Sequence, residues 1–579
     1  MAWRLVACAA LVVVTATSSA VAVADGDGRG RPSAVGRFDL PQSGFAPADT
    51  VLRSGPPQSV GLDPAPIDAA AEALAGWTAA SPPLFPGAVS LLAHHGVVVS
   101  RTATGKALRY ADGDRTELPA ADQVPVRPDT IFDVASVSKL FTSMAVMGLV
   151  DRGLVDVDER VAAHLPEFAA NGKDAITVRQ LLTHTSGFEP FIPLWRDWPD
   201  EASRIRAVLD RAPATPPGTA YTYSDLNLIT LGVLVERLTG KGLDQVVTEW
   251  ITRPLGMVDT GYNPSAARRD RIAATEFQAT PPRGMVRGQV HDENAWSLGG
   301  VAGHAGVFST AYDLAVLGQA ILNGGTYRGR RVLAAESVRA MLTNYNQSFP
   351  GDEHGLGFEL DQRWYMGGLS GPGTAGHTGF TGTSLVIDPA SRSIAILLTN
   401  RVHPTRGGAS VNVARERLAS SLALAMAVPP RHGRTAWSAP PADATTATLT
   451  SPPLTARGPI RVRFAAFVDT DDADALVVET SDDGTTWEAV PLRVGGPGAP
   501  AGETRSLSGS GHRSWWTADT IVTSMRPVTV RWRSSTDSRY TGRGISIDGI
   551  FITEGDRLLL NGEKEPHLLR PVGWRVQTR

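Results

Sequence analysis

A break in sequence character near residue 429 does most to limit the folds open to this chain. Upstream of it, apolar residues recur at helical spacing between a few strand-like runs. Downstream, the period falls to two: Ile460, Val462 and Phe464 alternate with arginines, and Val528, Val530 and Trp532 alternate again. The break itself reads Pro429-Pro430-Arg431-His432-Gly433, is renewed at Pro440-Pro441, and runs on through Ala- and Thr-rich residues to about Thr450. We read 429–450 as a proline-rich linker. A chain of 579 residues exceeds what one hydrophobic core usually supports, so the break separates a mixed unit over 58–428 from an all-β sandwich over 451–579.

The N-terminus constrains where the protein works. An apolar run from Leu5 to Val23 follows Arg4 and ends in Ala22-Val23-Ala24 before Asp25, which is the pattern of a secretory signal peptide over 1–24 and implies a secreted product. Cleavage there removes Cys8, the one cysteine, and with it any disulfide, thiol nucleophile or thiolate metal site. Residues 25–57, rich in Gly, Pro, Ser and Asp, read as an extended arm. No later stretch approaches the ~20 apolar residues that span a bilayer, so no integral membrane segment is expected after cleavage. With 20% charged residues and a net charge of -3, nucleic acid is an unsuitable partner.

Within 58–428 the elements fall in a telling order. A helix begins near Asp63, with Pro64 and Pro66 in its first turn and Ile67, Ala70, Ala71, Leu74 and Trp77 at helical spacing. Ala88 to Ala93 and Val97 to Thr102 form a hairpin across His94-His95-Gly96. A second strand pair, Ser384 to Ile387 and Ser393 to Thr399, turns at Asp388-Pro389-Ala390-Ser391, and a helix from about Ala409 to Val428 would cover the sheet. The middle is helical and loop-like. Strands at both ends around such a middle imply an α+β fold: one antiparallel sheet, joined from distant sequence, flanked by helices beside an all-helical region.

Three segments carry chemistry. In Phe132-Asp133-Val134-Ala135-Ser136-Val137-Ser138-Lys139, an apolar helix continues from Leu140 to Val150 and stops at Gly153. A spacing of three puts Ser136 and Lys139 on one face, so a weak hydroxyl nucleophile sits beside a basic group near a helix N-terminus. Lysine occurs only at positions 106, 139, 173, 241 and 564, and Lys139 alone has a serine three residues before it. The second segment, Tyr221-Thr222-Tyr223-Ser224-Asp225, precedes a helix from Leu226 to Leu238 and aims a loop tyrosine at the nucleophile. The third, Ala375-Gly376-His377-Thr378-Gly379-Phe380-Thr381-Gly382, precedes a strand, and its glycines let a substrate approach an edge amide.

Ser-x-x-Lys, Tyr-Ser-Asp and His-Thr-Gly in this order resemble the penicillin-binding protein and class C β-lactamase superfamily over about 58–428. The resemblance implies Ser136 as nucleophile, Lys139 and Tyr223 as the general-base pair, and Asp225 as partner of Lys139 or of substrate. It places the oxyanion hole at the amides of Ser136 and Phe380, beside Gly379. Many β-lactamases of the family have lysine at the position of His377 and asparagine at that of Asp225. A neutral histidine would hold a β-lactam carboxylate less well, which favours the family's esterases and amidases. With Asp225 keeping Lys139 protonated, Tyr223, its pKa lowered by Lys139, would take the serine proton. Val290-His291-Asp292-Glu293 resembles a subgroup associated with cell-wall fragments, so His291 is a candidate substrate contact, the alternative being a local hydrogen bond to Asp292. His184 and His304 read as structural. No cofactor and no catalytic metal are expected.

These readings give a serine hydrolase forming an acyl-enzyme on a small molecule or peptidoglycan fragment. A broad carboxylesterase, a β-lactamase and a non-catalytic glycan- or penicillin-binding protein are the alternatives. The C-terminal module more weakly resembles the jelly-roll domains of secreted glycan-degrading enzymes. Trp487, Trp515, Trp516 and Trp532 are candidates for stacking on sugars against the alternative of core packing, and Asp469, Asp471, Asp472 and Asp548 for calcium.

Overall fold

The computed structural model describes residues 33–578 except 440–443, 525 and 539–541. The expected signal peptide, the start of the arm and Pro440-Pro441 lie outside the described residues. Among the described residues no helix is long and apolar enough to cross a membrane.

Helix α1 (Pro64–Ala79) starts where its prolines and the Asp63 cap place it, with Asp63 accepting from the Ala65 amide at 3.0 Å. Strands β1 (Gly87–His94) and β2 (Val97–Leu108) form the expected hairpin. The central helices follow: α2 (Ser138–Asp151) and α3 (Asp225–Thr239). The chain then returns to the sheet through β3 (Glu359–Leu360), β4 (Ala375–Gly379), β5 (Thr383–Asp388) and β6 (Ser393–Thr399), and α4 (Asn412–Ala425) closes it. The strand order is β2-β1-β6-β5-β4-β3, antiparallel throughout, with Arg53–Ser54 added in parallel at the β2 edge. The pairing of β6 with β1, from Thr399 opposite Ala88 to Ser393 opposite His94, is the expected joining of distant sequence. Helices α1 and α4 share a core on one face, while α2, α3 and the middle segment fill the other.

Helix α2 is buried almost end to end, from Ser138 to Leu149, which explains why its sequence lacks an amphipathic stripe. Each large apolar side chain it buries stabilises the fold by roughly 1.5–3 kcal/mol.

The C-terminal region consists of two antiparallel sheets, of eight and five strands, around one core that includes Val462, Phe464, Trp516, Val530 and Trp532. The linker reading of 429–450 is corrected here. Residues Ala436–Ala439 and Thr446–Thr450 are strands, paired with Gly544–Glu554 and Thr529–Ser535 respectively. Proline and Ala/Thr richness marked the entry to a sheet rather than a spacer, because a strand needs only alternating contacts and tolerates proline at its flanks.

Nor is the module held at a distance: Ala34–Arg579 forms one compact unit. Phe467 packs in the α1–α4 core, its ring 6.2 Å from that of Phe38 and 5.7 Å from Trp515. Arg513 forms a buried ion pair with Asp388 at the end of β5, at 2.6 Å. Arg543 donates to the carbonyl of Ala423 in α4. The N-terminal arm is fastened too, through a bridge between Arg37 and Ala427. Of the four candidate sugar-stacking tryptophans, Trp516 and Trp532 are core residues and Trp515 packs on Phe467. Trp487 is half-buried, under the guanidinium of Arg531 at 3.8 Å. The calcium candidates spend carboxylate oxygens on backbone amides: Asp469 on Arg543, Asp471 on Ala473, and Asp548 on His432.

Candidate active site

Ser136 lies in a 3-10 turn, Ala135–Val137, that leads directly into α2, whose first residue, Ser138, follows the serine by two positions. Ala135 has φ of 48°, a costly conformation for a side-chain-bearing residue. Asp133 holds it there: one carboxylate oxygen accepts from the Ala135 amide at 2.9 Å, the other from the His291 amide at 2.6 Å. From this turn the hydroxyl of Ser136 accepts a hydrogen bond from Lys139 Nζ at 2.9 Å.

Lys139 is buried and fully engaged. Its ammonium also donates to the carbonyl of His304 at 3.1 Å and pairs with Asp225 Oδ1 at 2.7 Å. Burial works to lower its pKa, but Asp225 and Tyr223 more than offset the lost hydration and raise it. Asp225, in the first turn of α3, therefore fixes Lys139 as a cation, as the residues implied. The segment carrying His304 reaches this point because Gly303 passes against α3: a Cβ there would lie 1.8 Å from the Leu228 carbonyl oxygen.

Tyr223 lies over the same ammonium, with Nζ 4.9 Å from the ring centre. Its hydroxyl is turned toward Lys139 and Ser136, both of which favour its ionised form. The expectation that Lys139 lowers the pKa of this tyrosine below its usual value is corrected by burial, which pushes the phenol up to about 12 while Lys139 offsets only part of the rise. At rest the pair is ammonium and neutral phenol.

The turn after β4 is stitched to the nucleophile strand. Thr381 donates to the Asp133 carbonyl at 2.7 Å and Thr383 to the Val134 carbonyl at 2.9 Å. Gly379 is pressed so close that a Cβ would stand 2.3 Å from the Val134 oxygen. These bonds hold the segment of Phe380 beside the turn of Ser136, and both residues line the cleft. The ring of Phe380 is 52% exposed at the mouth.

His377 departs from its expected role. It is buried, donates from Nδ1 to the Thr378 carbonyl at 2.7 Å, and packs 6.0 Å from the Tyr223 ring, while Thr378 faces the cleft. Burial holds its pKa down near 3, so it brings no cation to a substrate. His291 is corrected likewise. It is buried, its ring bonds to Glu276 at 2.9 Å and stacks on Phe380 at 5.7 Å, so it supports the mouth from behind instead of touching substrate or Asp292. Asp292 pairs with His304 at 2.9 Å. Burial works against the Asp292 carboxylate, but His304 more than compensates and lowers its pKa. His184 is structural in a specific sense: its Nδ1 accepts from the Ser224 amide at 3.1 Å and its ring packs 4.7 Å from Tyr223.

Asp225, Asp292 and His304 bring one ligand atom each within 4.8 Å of one another. A divalent ion there would compete with the Lys139 ammonium, which already occupies Asp225 Oδ1.

The cleft, about 530 Å³, adds residues that the motifs missed: Glu359, Gln362 and Trp364 on one segment, Arg401 and Arg415 on others. Arg415 Nη2 braces the β4–β5 turn, donating to the carbonyls of Gly379 at 2.7 Å and Thr383 at 3.0 Å. The Nε atoms of Arg401 and Arg415 are buried without a protein partner. Burial raises the pKa of Glu359 to about 7, and one of its carboxyl oxygens is also unpartnered.

The Beta-lactamase family matches residues 82–420. A putative D-alanyl-D-alanine carboxypeptidase of Escherichia coli (strain K12) is 34% identical over 351 residues, 55% of this chain and 79% of that protein. One from Salmonella agona (strain SL483) is 32% identical over 407 residues, 64% and 90% of the two chains. Among solved structures, a penicillin-binding protein homologue from Caulobacter crescentus is 26% identical, with a TM-score of 0.49 over 63% of this chain and 99% of its own. The match of the family over more than half the chain, on a fold that joins Ser136, Lys139 and Tyr223, means that this chain belongs to the beta-lactamase family and is a serine hydrolase.

Proposed function

We propose that this hydrolase is secreted and cleaves peptidoglycan-derived peptides or muropeptides at a D-amino-acid amide or ester, through an acyl-enzyme on Ser136. The carrying observation is the Ser136–Lys139 contact of 2.9 Å, with the ammonium fixed by Asp225 at 2.7 Å. Attack by Ser136 Oγ releases a proton, for which the neighbouring Tyr223 is the acceptor in its phenolate form. The Lys139 ammonium stabilises that phenolate, and the Phe380 and Ser136 amides take the charge on the substrate oxygen. Tyr223 then returns the proton to the leaving group.

The substrate class rests on the cleft and on the relatives named as carboxypeptidases. With His377 neutral, Arg401 and Arg415 are the cations available to a terminal carboxylate. The apolar run from Leu5 to Val23 supports export. Glycan contact through the C-terminal module belongs to the same proposal, with Trp487 as the ring left for it.

Incubation with a small fluorophosphonate should add one label by intact mass, lost in Ser136→Ala. A peptide ending in D-alanyl-D-alanine should release D-alanine faster than a chromogenic cephalosporin is opened. Persistent labelling of Ser136→Ala sinks the nucleophile, and faster cephalosporin opening sinks the substrate class.

A further inference from the structure

The wall of the cleft formed by Glu359, Gln362 and Trp364 begins at the sheet edge and continues through a short helical turn, Arg363–Met366, into the glycine-rich stretch 367–373. Such a segment has little stiffness of its own. Bonds within the hydrolase unit hold part of it: Trp364 Nε1 donates to Gln362 Oε1 at 3.1 Å, the Gly368 amide donates to Ser420 Oγ in α4 at 3.0 Å, and Tyr365, Met366 and Leu369 are buried in the α1–α4 core. Gln362 Nε2 donates to the carbonyls of Gly351 and Leu360, each at 3.1 Å, and Ser370 donates to Asp361 at 2.6 Å.

Further anchors come from the sandwich. Arg363, between the two cleft-lining residues, donates to the carbonyl of Thr470 at 2.5 Å. Arg513 donates to the carbonyls of Leu369 and, at 3.4 Å, Ser370, while its Nη1 pairs with Asp388 at 2.6 Å. Asp388 in turn accepts from Thr374 at 3.1 Å. One buried guanidinium thus ties both the far end of the wall and the end of β5. Among the described residues, Ser136, Lys139 and Tyr223 have no bond to the module; α2, α3 and the His304 segment hold them.

We propose that the C-terminal module takes part in substrate selection, with Arg513 and the Thr470 carbonyl holding the Gln362–Trp364 wall in place. Arg513 is the positioning residue. A group large enough to touch the wall then depends on the docked module, and a small one does not.

The test uses the full-length protein, the variants Arg363→Gln, Arg513→Ala and Arg513→Lys, and two nitrophenyl esters, acetate and 4-phenylbutyrate. Arg363→Gln and Arg513→Ala should raise KM for the phenylbutyrate ester roughly fivefold, the size of one or two lost hydrogen bonds. Acetate turnover and the rate of fluorophosphonate labelling should stay within about twofold, because those steps leave the wall untouched. Arg513→Lys should recover part of the loss. The proposal is overturned if both esters change by the same factor, or if neither changes in a folded variant. Should Arg513→Ala not fold, an unchanged KM ratio in Arg363→Gln overturns it alone. Both esters report on Ser136 acylation, so a failure of the D-amino-acid reading leaves this test intact.

Discussion

At the scale of single residues the site is a charge arrangement that stores its base in protonated form. Asp225 keeps Lys139 cationic, and burial keeps Tyr223 a phenol whose pKa is about 12. The reactive form of the free enzyme is the one with Tyr223 deprotonated, so kcat/KM should rise with pH across the neutral range, close to tenfold per unit, with no plateau before the alkaline limb. Hydrolysis of an amide substrate from pH 6 to 9 measures this. Tyr223→Phe should lower the rate by about 10²–10⁴-fold and flatten the profile, as general-base losses do. A wild-type plateau near pH 7 would show that substrate binding, or another group, supplies the base.

At the scale of elements, the turn after β4 transmits the position of the sheet to the nucleophile. Gly379→Ala would force its new methyl against the Val134 oxygen, 2.3 Å away, and move the Phe380 amide. We expect kcat to fall by about 10²-fold, the cost of one oxyanion donor, with KM little changed. Steady-state kinetics on a variant shown folded by circular dichroism checks this. The elements themselves were largely legible: α1, the two hairpins and α2 announce themselves by caps, turn residues and an apolar run. Ser136, Lys139, Tyr223 and Asp225 were legible because a short spacing or a helix start fixes their geometry. His377 and His291 were misplaced because position in a motif does not say which side of a wall a ring faces. Glu359 and Arg415 gave no signal, since an acid inside an apolar run and an arginine on an alanine-rich helix look like any solvated charge until burial is known. The strands within 429–450 were hidden by proline and alanine, whose local preferences yield to pairing partners about 90 residues away in sequence.

At the scale of the whole molecule, the sandwich contributes to the core of the unit it joins. Phe467 packs against Phe38 in the core that also holds Tyr365 and Leu369. A chain ended near residue 430 should lose that packing and leave Asp388 buried without Arg513. Its melting temperature should drop by roughly 5–10 °C, the effect of one large buried side chain in a domain of this size. Differential scanning fluorimetry of the full and shortened chains decides the point, and equal melting temperatures would show the docking to be energetically idle.

The arm that carries Phe38 has a temporal meaning as well. Its ring is met by Phe467 and by the guanidinium groups of Arg513 and Arg543, at 4.5 Å and 5.1 Å from its centre. Phe38 is made more than 400 residues before these three partners. Its contacts with the sandwich close loops of that length, so they should form late in folding, and a chain lacking the sandwich should leave one side of the Phe38 ring uncovered.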